Sequence, residues 1–192
     1  MKIAVCVPTH NENPLMLQRV MAQIYDAVGP DAHICSYNDY GSRGKGYALR
    51  QALKAAQVYK PDYYIFIDGD GDINPAQIQP FLFFLGQGYD VVVGKKELPG
   101  RLDRRVLTYL SRIWVKLLFG LGVDTQTGIK AFSYAPTWFL EGWAFDIEIL
   151  WEAKKAGKKM LEIPIHAVVS SGKSWKDVFS AFRDTIKLRW GI

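Results

Sequence analysis

The sequence predicts an α/β fold in which one sheet carries helices on both faces. Three observations predict it. Apolar runs of strand length recur at residues 3–8, 33–37, 63–67 and 90–94. Amphipathic segments of helical length lie between them, punctuated by Asn, Pro and Gly. Three strand ends, at residues 8–12, 38–42 and 68–72, are chemically loaded, and ligands bind beyond the carboxyl ends of strands in such sheets.

The elements follow in order. Residues 3–8 (IAVCVP) form a continuous apolar run, as a buried parallel strand requires. Asn13 is placed to cap the next helix, with Pro14 at its first position. Leu17, Val20, Met21, Ile24 and Val28 share a helical stripe that Gly29-Pro30 ends. After the strand at 33–37, Gly44 to Gly46 open a helix with Leu49, Ala52, Leu53 and Ala56 inward, closed by Lys60-Pro61. The strand at 63–67 (YYIFI) runs straight into Asp68-Gly69-Asp70, Pro75 starts a helix, and residues 90–94 (DVVVG) are a fourth strand. The second half is less regular. Residues 104–119 read as an amphipathic helix with Leu107, Leu110, Trp114 and Leu117 on one side and Arg105, Thr108, Arg112 and Lys116 on another. Residues 145–156 read as a helix and 161–167 as a strand. Residues 175–190 form an amphipathic helix with Trp175, Val178, Phe179, Phe182, Ile186 and Trp190 facing one way and Lys176, Arg183 and Lys187 another.

A chain of 192 residues, 49% apolar and 22% charged, predicts one globular domain over 1–192 and excludes a disordered tail, a coiled coil and a collagen-like fibre. The longest uncharged stretch, 73–89, holds two prolines and two glycines and does not read as a membrane span. The N-terminal apolar run is too short for a signal-peptide core, so Cys6 and Cys35 read as reduced core thiols of a cytosolic protein. The net charge of +5 is unevenly spread. Residues 1–94 carry 7 basic and 9 acidic side chains, whereas residues 95–192 carry 17 and 10. The first half suits a cation and the second an anionic partner. No zinc-finger, helix-turn-helix or RNA-binding signature points to nucleic acid; anionic lipid or a phosphorylated substrate fits.

Asp68, Asp70 and Asp72 place three carboxylates at alternate positions after a buried strand. Such carboxylates repel one another unless a cation lies between them, and hard oxygen ligands favour Mg2+ or Mn2+. A calcium loop is excluded because Ile73 and Gln79 stand where Gly and Glu are needed; the alternative, an acidic turn capping the next helix, is disfavoured by the apolar strand before it. Gly172-Lys173-Ser174 lacks the upstream glycine of a phosphate-binding loop, where Ala167 stands. Gly44-Lys45-Gly46 either contacts phosphate through backbone N–H groups and the lysine or simply starts a helix. His10, His33 and His166 show no metal-ligand spacing.

Together these motifs resemble the family 2 glycosyltransferases of GT-A fold. Pro8-Thr9-His10-Asn11-Glu12 is similar to the opening P-T-Y-N-E, Asn38-Asp39-Tyr40-Gly41-Ser42 to the D-D-x-S strand end, and Gly44-Lys45-Gly46-Tyr47-Ala48-Leu49 to G-K-G-x-A-L. Asp68-Gly69-Asp70 resembles the D-x-D motif. Within the family, the chain is most similar to polyprenyl-phosphate (dolichyl-phosphate) mannose or glucose synthases. Asp124-Thr125-Gln126-Thr127-Gly128-Ile129-Lys130-Ala131-Phe132 is nearly D-T-Q-S-G-F-R-A-F, while Phe145-Asp146-Ile147-Glu148 and Glu162-Ile163-Pro164-Ile165 resemble F-D-x-E and E-V-P-V. The departures are Asn38 for the first Asp of the base-binding pair, a short segment before G-K-G, and Gly94-Lys95-Lys96 for G-S-R.

The resemblance implies a single Rossmann-like, mixed, mostly parallel sheet, with residues 1–94 as the nucleotide-sugar and metal half and 95–192 as the acceptor half. It implies an inverting transfer of a hexose from a GDP- or UDP-linked sugar to a polyprenyl phosphate. Pro8, Thr9, Asn11, Glu12, Asp39, Lys45, Asp68, Gly69 and Asp70 would bind the donor. Asp68, Asp70 and Asp72 would hold Mg2+ or Mn2+. Asp70, Asp146, Arg104 and Arg105 would carry the chemistry, and Lys96, Arg101, Arg104, Arg105 and Lys173 would capture the acceptor phosphate, an anion that needs no general base. The basic amphipathic helices suggest peripheral attachment to the inner face of a membrane, though each stripe equally suits packing on the sheet. Two alternatives stand beside this reading: a family 2 enzyme acting on a sugar hydroxyl with Asp146 as base, and a non-catalytic nucleotide-binding membrane adaptor. A nucleotidyltransferase is disfavoured because no G-G-x-G-T-R-L run follows the first strand. Oligomeric state is left open.

Overall fold

The computed structural model describes residues 1–96, 102–142, 144–168 and 175–191. Its elements in chain order are β1 (Ile3–Thr9), α1 (Pro14–Val28), β2 (His33–Asn38), α2 (Lys45–Gln57), β3 (Tyr63–Ile67), a 3-10 turn (Pro75–Gln77), α3 (Ile78–Gly86), β4 (Val91–Lys96), α4 (Leu102–Phe119), β5 (Ile129–Phe132), α5 (Phe145–Lys155), β6 (Met160–Ile165) and α6 (Trp175–Trp190). The α/β expectation holds. Asn13 caps α1 by accepting the Leu15 and Met16 amides, with Pro14 in the first turn. The helix expected from Pro75 is a 3-10 turn capped by Asn74, followed by α3.

The six strands form one sheet in the order β2-β1-β3-β5-β4-β6. β1 pairs in parallel with β2 and β3, and β4 in parallel with β6. β5, unforeseen as a strand, runs antiparallel to both β3 and β4. A lysine in the middle of this four-residue element hides it from a search for apolar runs. Its direction has a functional consequence: the loop entering β5 emerges beside the carboxyl ends of β3 and β4.

Apolar side chains fill both faces. On one, Leu49, Leu53, Phe66, Phe132, Phe145 and Leu150 pack together; on the other, Val20, Ile24, Ile65, Ile78 and Phe81 do. Each fully buried side chain of this size contributes roughly 1.5–3 kcal/mol. Cys6 and Cys35 are register partners on adjacent strands, free and buried. Burial first, and then the neighbouring Cys35, pushes the Cys6 thiol far above its ordinary range.

The stripe expected on α4 divides. Trp114 packs inward, stacked on Phe182 of α6 at 4.2 Å and donating to the Thr185 hydroxyl at 3.1 Å. Val115 and Phe119 are buried with it. Leu110 and Leu117 instead join Val106, Tyr109 and Ile113 on an exposed apolar face. Helical spacing identifies a stripe but not which part of it meets the sheet. Arg112 leaves the expected basic face and pairs with buried Asp124 at 2.6 Å. The side chains of Leu107, Trp175, Lys176, Val178 and Phe179 lie outside the described residues. Among the described residues no helix is long and apolar enough to cross a membrane.

Candidate active site

The carboxyl end of β1 begins the site. Thr9 is buried and its hydroxyl donates to the Tyr37 carbonyl at 3.2 Å. Asn11, at φ 56°, turns the chain off the sheet, and the Glu12 carboxylate accepts the His10 amide. The His10 ring Nδ1 lies 2.9 Å from the Asp39 carbonyl. Asp39 is buried at the end of β2, where its Oδ2 accepts the Gly44 amide at 2.6 Å. The Asn38 Oδ1 is buried without a partner.

The Gly-Lys-Gly start of α2 corrects one expectation. Its N–H groups do not form a cradle for phosphate: Gly44 donates to Asp39, while Gly46 and Tyr47 donate to the Glu141 carbonyl at 2.8 and 3.3 Å. The glycines serve close packing instead. A Cβ on Gly44 would lie 2.5 Å from the Glu141 carbonyl oxygen, and Gly44 also holds φ 118°. Arg50 ties the same segment to α2 by donating to the Phe139 carbonyl and the Glu141 carboxylate, and Glu148 accepts the Phe139 and Leu140 amides. The glutamate of F-D-x-E thus positions a loop.

Lys45 is the group this start delivers. Its ammonium lies 2.7 Å from Asp68 Oδ1 and 2.9 Å from Oδ2. Burial pulls the ammonium down, but the carboxylates of Asp68, then Asp146 and Asp70, outweigh it and hold Lys45 above the ordinary lysine range. Asp68 is fixed by its amide, which donates to the Gly128 carbonyl at 3.0 Å. Gly128 is required here, since a Cβ would sit 2.3 Å from Asp68 Oδ2. Gly69 is buried against Thr9 and Val7.

Asp70 is raised above the usual carboxylate range by burial first and by the charge of Asp68 next; the Asp72 amide and Lys45 offset only part of this. The expected convergence of Asp68, Asp70 and Asp72 is not seen: among the described residues no three His, Cys, Asp or Glu side chains form a group able to hold a metal ion. The reason is local. Asp70 Oδ1 accepts the Asp72 amide at 3.0 Å, and Asp72 lines a separate cavity between α1 and the end of β6.

Behind Lys45 lies a pair only half anticipated. Lys130 of β5, 2% exposed, donates to Asp146 Oδ1 and to the Thr127 carbonyl, both at 2.7 Å. Asp146 is therefore neutralised from beneath by a cation absent from the expected site. A lysine inside an apolar run, with a carboxylate downstream in Phe145-Asp146, was the available signal. Pro8, Lys45, Asp68, Gly128, Lys130 and Asp146 line one small cleft.

Of the residues expected to meet the acceptor, Lys96 is half-buried at the end of β4. Lys95 is engaged by Glu162 at 2.8 Å, and Glu162 also accepts the Asp124 amide at 2.6 Å, so the E-I-P-I glutamate anchors the loop before β5. Arg104 and Arg105 lie in the first turns of α4, with side chains outside the described residues, as Arg101 and Lys173 are entirely.

No family model matches the chain. It is similar to an uncharacterized protein of Methanocaldococcus jannaschii, 31% identical over 166 residues, covering 77% of this chain and 67% of that protein. It also resembles the dolichyl-phosphate beta-glucosyltransferase of Dictyostelium discoideum (27%, covering 78% and 51%) and the undecaprenyl-phosphate mannosyltransferase of Micrococcus luteus (21%, covering 99% and 96%). Among solved structures, glucosyl-3-phosphoglycerate synthase from Mycobacterium tuberculosis, in complex with Mn2+, uridine diphosphate and phosphoglyceric acid, superposes with a TM-score of 0.72 at 19% identity, covering all of this chain and 79% of that one. The fold is that of the GT-A glycosyltransferases, and the chain is a glycosyltransferase. In this glycosyltransferase the antiparallel β5 is what carries Gly128 and Lys130 to the D-x-D strand end.

Proposed function

We propose that this glycosyltransferase moves a hexose from a GDP- or UDP-linked sugar to a polyprenyl phosphate, with inversion, while attached peripherally to the inner face of a membrane. The donor would lie across the strand ends, with base and ribose near Pro8, Thr9, Asn11, Glu12 and Asp39 and its diphosphate near Lys45 and Asp70. The fit to a divalent cation rests on Asp70, whose carboxyl is raised by burial and by its acidic neighbours; a cation relieves that repulsion. Asp68 and Asp70 would hold Mg2+ or Mn2+ with the diphosphate oxygens completing the shell, consistent with sites that use one or two carboxylates. When bound, the ion would neutralise charge growing on the leaving nucleoside diphosphate. Lys45 would bind the diphosphate, and Asp146, with Lys130 beneath it, would orient Lys45 and the donor sugar.

The observation that carries the acceptor assignment is α4 itself. Arg104 and Arg105 stand at its start, and Val106, Tyr109, Leu110, Ile113 and Leu117 present an unpacked apolar face along its length. A helix with cations at one end and bulky apolar groups toward solvent suits a lipid phosphate lying at an interface. Asp146 as base for a sugar hydroxyl is the weaker reading, because one of its oxygens is held by buried Lys130. The deciding measurement is transfer from UDP-glucose and GDP-mannose to a short-chain polyprenyl phosphate and to simple glycosides. Changing Arg104 and Arg105 to Ala should raise the KM for the lipid phosphate and spare donor binding, with Asp146→Asn the milder lesion. Robust transfer to glycosides, abolished by Asp146→Asn and spared by the arginine changes, would replace this reading with the hydroxyl one.

A further inference from the structure

A cavity of about 620 Å³ lies between α1, the loop after Asp70 and the end of β6. Its wall is built rather than incidental. Gln77 clamps His166 in both directions, its amide nitrogen donating to the His166 carbonyl and its oxygen accepting the His166 amide, each at 2.7 Å. Ile73 bridges Ala167, and the Val168 amide donates to the Asp72 carbonyl at 2.8 Å. The loop carrying the acidic run is thereby fixed to β6 and cannot swing into the space. Arg19 from α1, Lys96 from the end of β4 and His166 line this cavity, and none has an ion-pair partner among the described residues. Among the described residues Asp72 is the one carboxylate in the lining, and Met16, Val20 and Ile165 supply an apolar wall beside the cations.

We propose that this cavity seats the phosphate monoester of the acceptor, with Arg19 and His166 joining Lys96 in binding it. The inference rests on the transferase reading above and names the acceptor's place in it. Arginine presents paired donors matched to phosphate oxygens, and lysine adds a point charge. The volume exceeds what a phosphate alone would fill, so the group attached to the phosphate enters as well, against Met16, Val20 and Ile165. Asp72, at the lip shared with the acidic run, faces the acceptor and not the donor cation. This accounts for its departure from Asp68 and Asp70. The shared chemistry is a phosphate monoester; its source is either a prenyl lipid headgroup or a small soluble phosphate.

The test is direct binding without donor, using farnesyl phosphate, farnesol and glycerol 3-phosphate with the unaltered protein, Arg19→Ala and His166→Ala. UDP and GDP binding and melting temperature serve as controls for site integrity and fold. Arg19→Ala should weaken phosphate binding about tenfold and His166→Ala several-fold, with nucleotide binding and melting temperature unchanged. If farnesyl phosphate shows this loss and farnesol does not bind, the lipid is the source; if only glycerol 3-phosphate shows it, the source is soluble and the apolar wall serves the sheet. Binding of both phosphates within twofold of normal in both variants overturns the proposal. Arg19-dependent phosphate binding without transfer from any nucleotide sugar would keep this site and overturn the transferase reading instead.

Discussion

Two aspartates at opposite ends of the same sheet show how differently one residue type is treated. Asp90, at the amino end of β4, accepts the Lys159 amide at 2.9 Å and the Lys158 ammonium at 3.2 Å, with the Ser133 hydroxyl nearby. Those contacts, the Lys159 amide foremost, hold its carboxyl below the usual range. Asp70, beyond the carboxyl end of β3, is raised by burial and by Asp68. One end of the sheet lowers its carboxyl through contacts within the chain; the other holds Asp70 among carboxylates that raise it. Strain of this sort persists where a ligand completes the arrangement.

Removing the Asp70 charge should separate activity from stability most strongly. Asp70→Asn is expected to lower sugar transfer by about 10²-fold or more, on the scale of losing an electrostatic group at a reacting centre, without lowering the melting temperature at pH 7. The sign follows from linkage: a raised carboxyl contributes stability that is complete below its unfolded pKa of about 3.9 and lost as pH rises through its folded value. At neutral pH the asparagine escapes that loss. A variant that melts earlier, yet transfers normally, would break the contrast between the two ends.

Lys130→Met probes the same end from beneath. It leaves Asp146 buried without its cation, which costs about 3–5 kcal/mol for a broken buried pair, read from urea unfolding. Adding Asp146→Asn should recover part of this, because the amide carries no charge to strand. Next in size is the apolar face of α4. Leu110→Glu with Leu117→Glu should reduce binding to anionic vesicles several-fold at fixed salt, because lost apolar insertion and added repulsion act together; unchanged co-sedimentation would remove α4 from the membrane. The smallest effect belongs to the Asp90 end. Asp90→Asn should cost about 1 kcal/mol at pH 7 through weakened charged hydrogen bonds. The lowered carboxyl gives stability present above pH about 4 and lost as pH falls through its folded value. The variant and the parent should therefore converge in acid.

Much of this was legible in the sequence. Strands and helices announced themselves where one period dominated, as in YYIFI of β3 or the capped start of α1. Two of the loaded strand ends do meet, Pro8 and Asp68 lining one cleft with Lys45 of α2 and Asp146 of α5. What escaped was decided by long-range contact. Asp72 looks equivalent to Asp68 and Asp70 along the chain, but hydrogen bonding within the turn sends it to the other cavity. The Gly-Lys-Gly start suggests an anion site, yet the Gly44 amide is taken by Asp39 and the Gly46 and Tyr47 amides by Glu141, from a segment far downstream. Arg112 reads as part of a basic face until the loop before β5 brings Asp124 to it.

The buried lysine of β5 has a further consequence for how the sheet assembles. Side chains alternate strictly along a strand, so sliding β5 by one residue between β3 and β4 would turn Lys130 from Asp146 to the opposite face, among Ile65, Val92 and Phe81. An ammonium stranded there has no carboxylate to meet, a penalty of several kcal/mol. A purely apolar β5 would tolerate the slip far better. The charge that pairs with Asp146 beneath the cleft thus also proofreads strand alignment at the centre of the molecule: a chain that pairs its strands wrongly is driven back toward the arrangement in which the cleft forms.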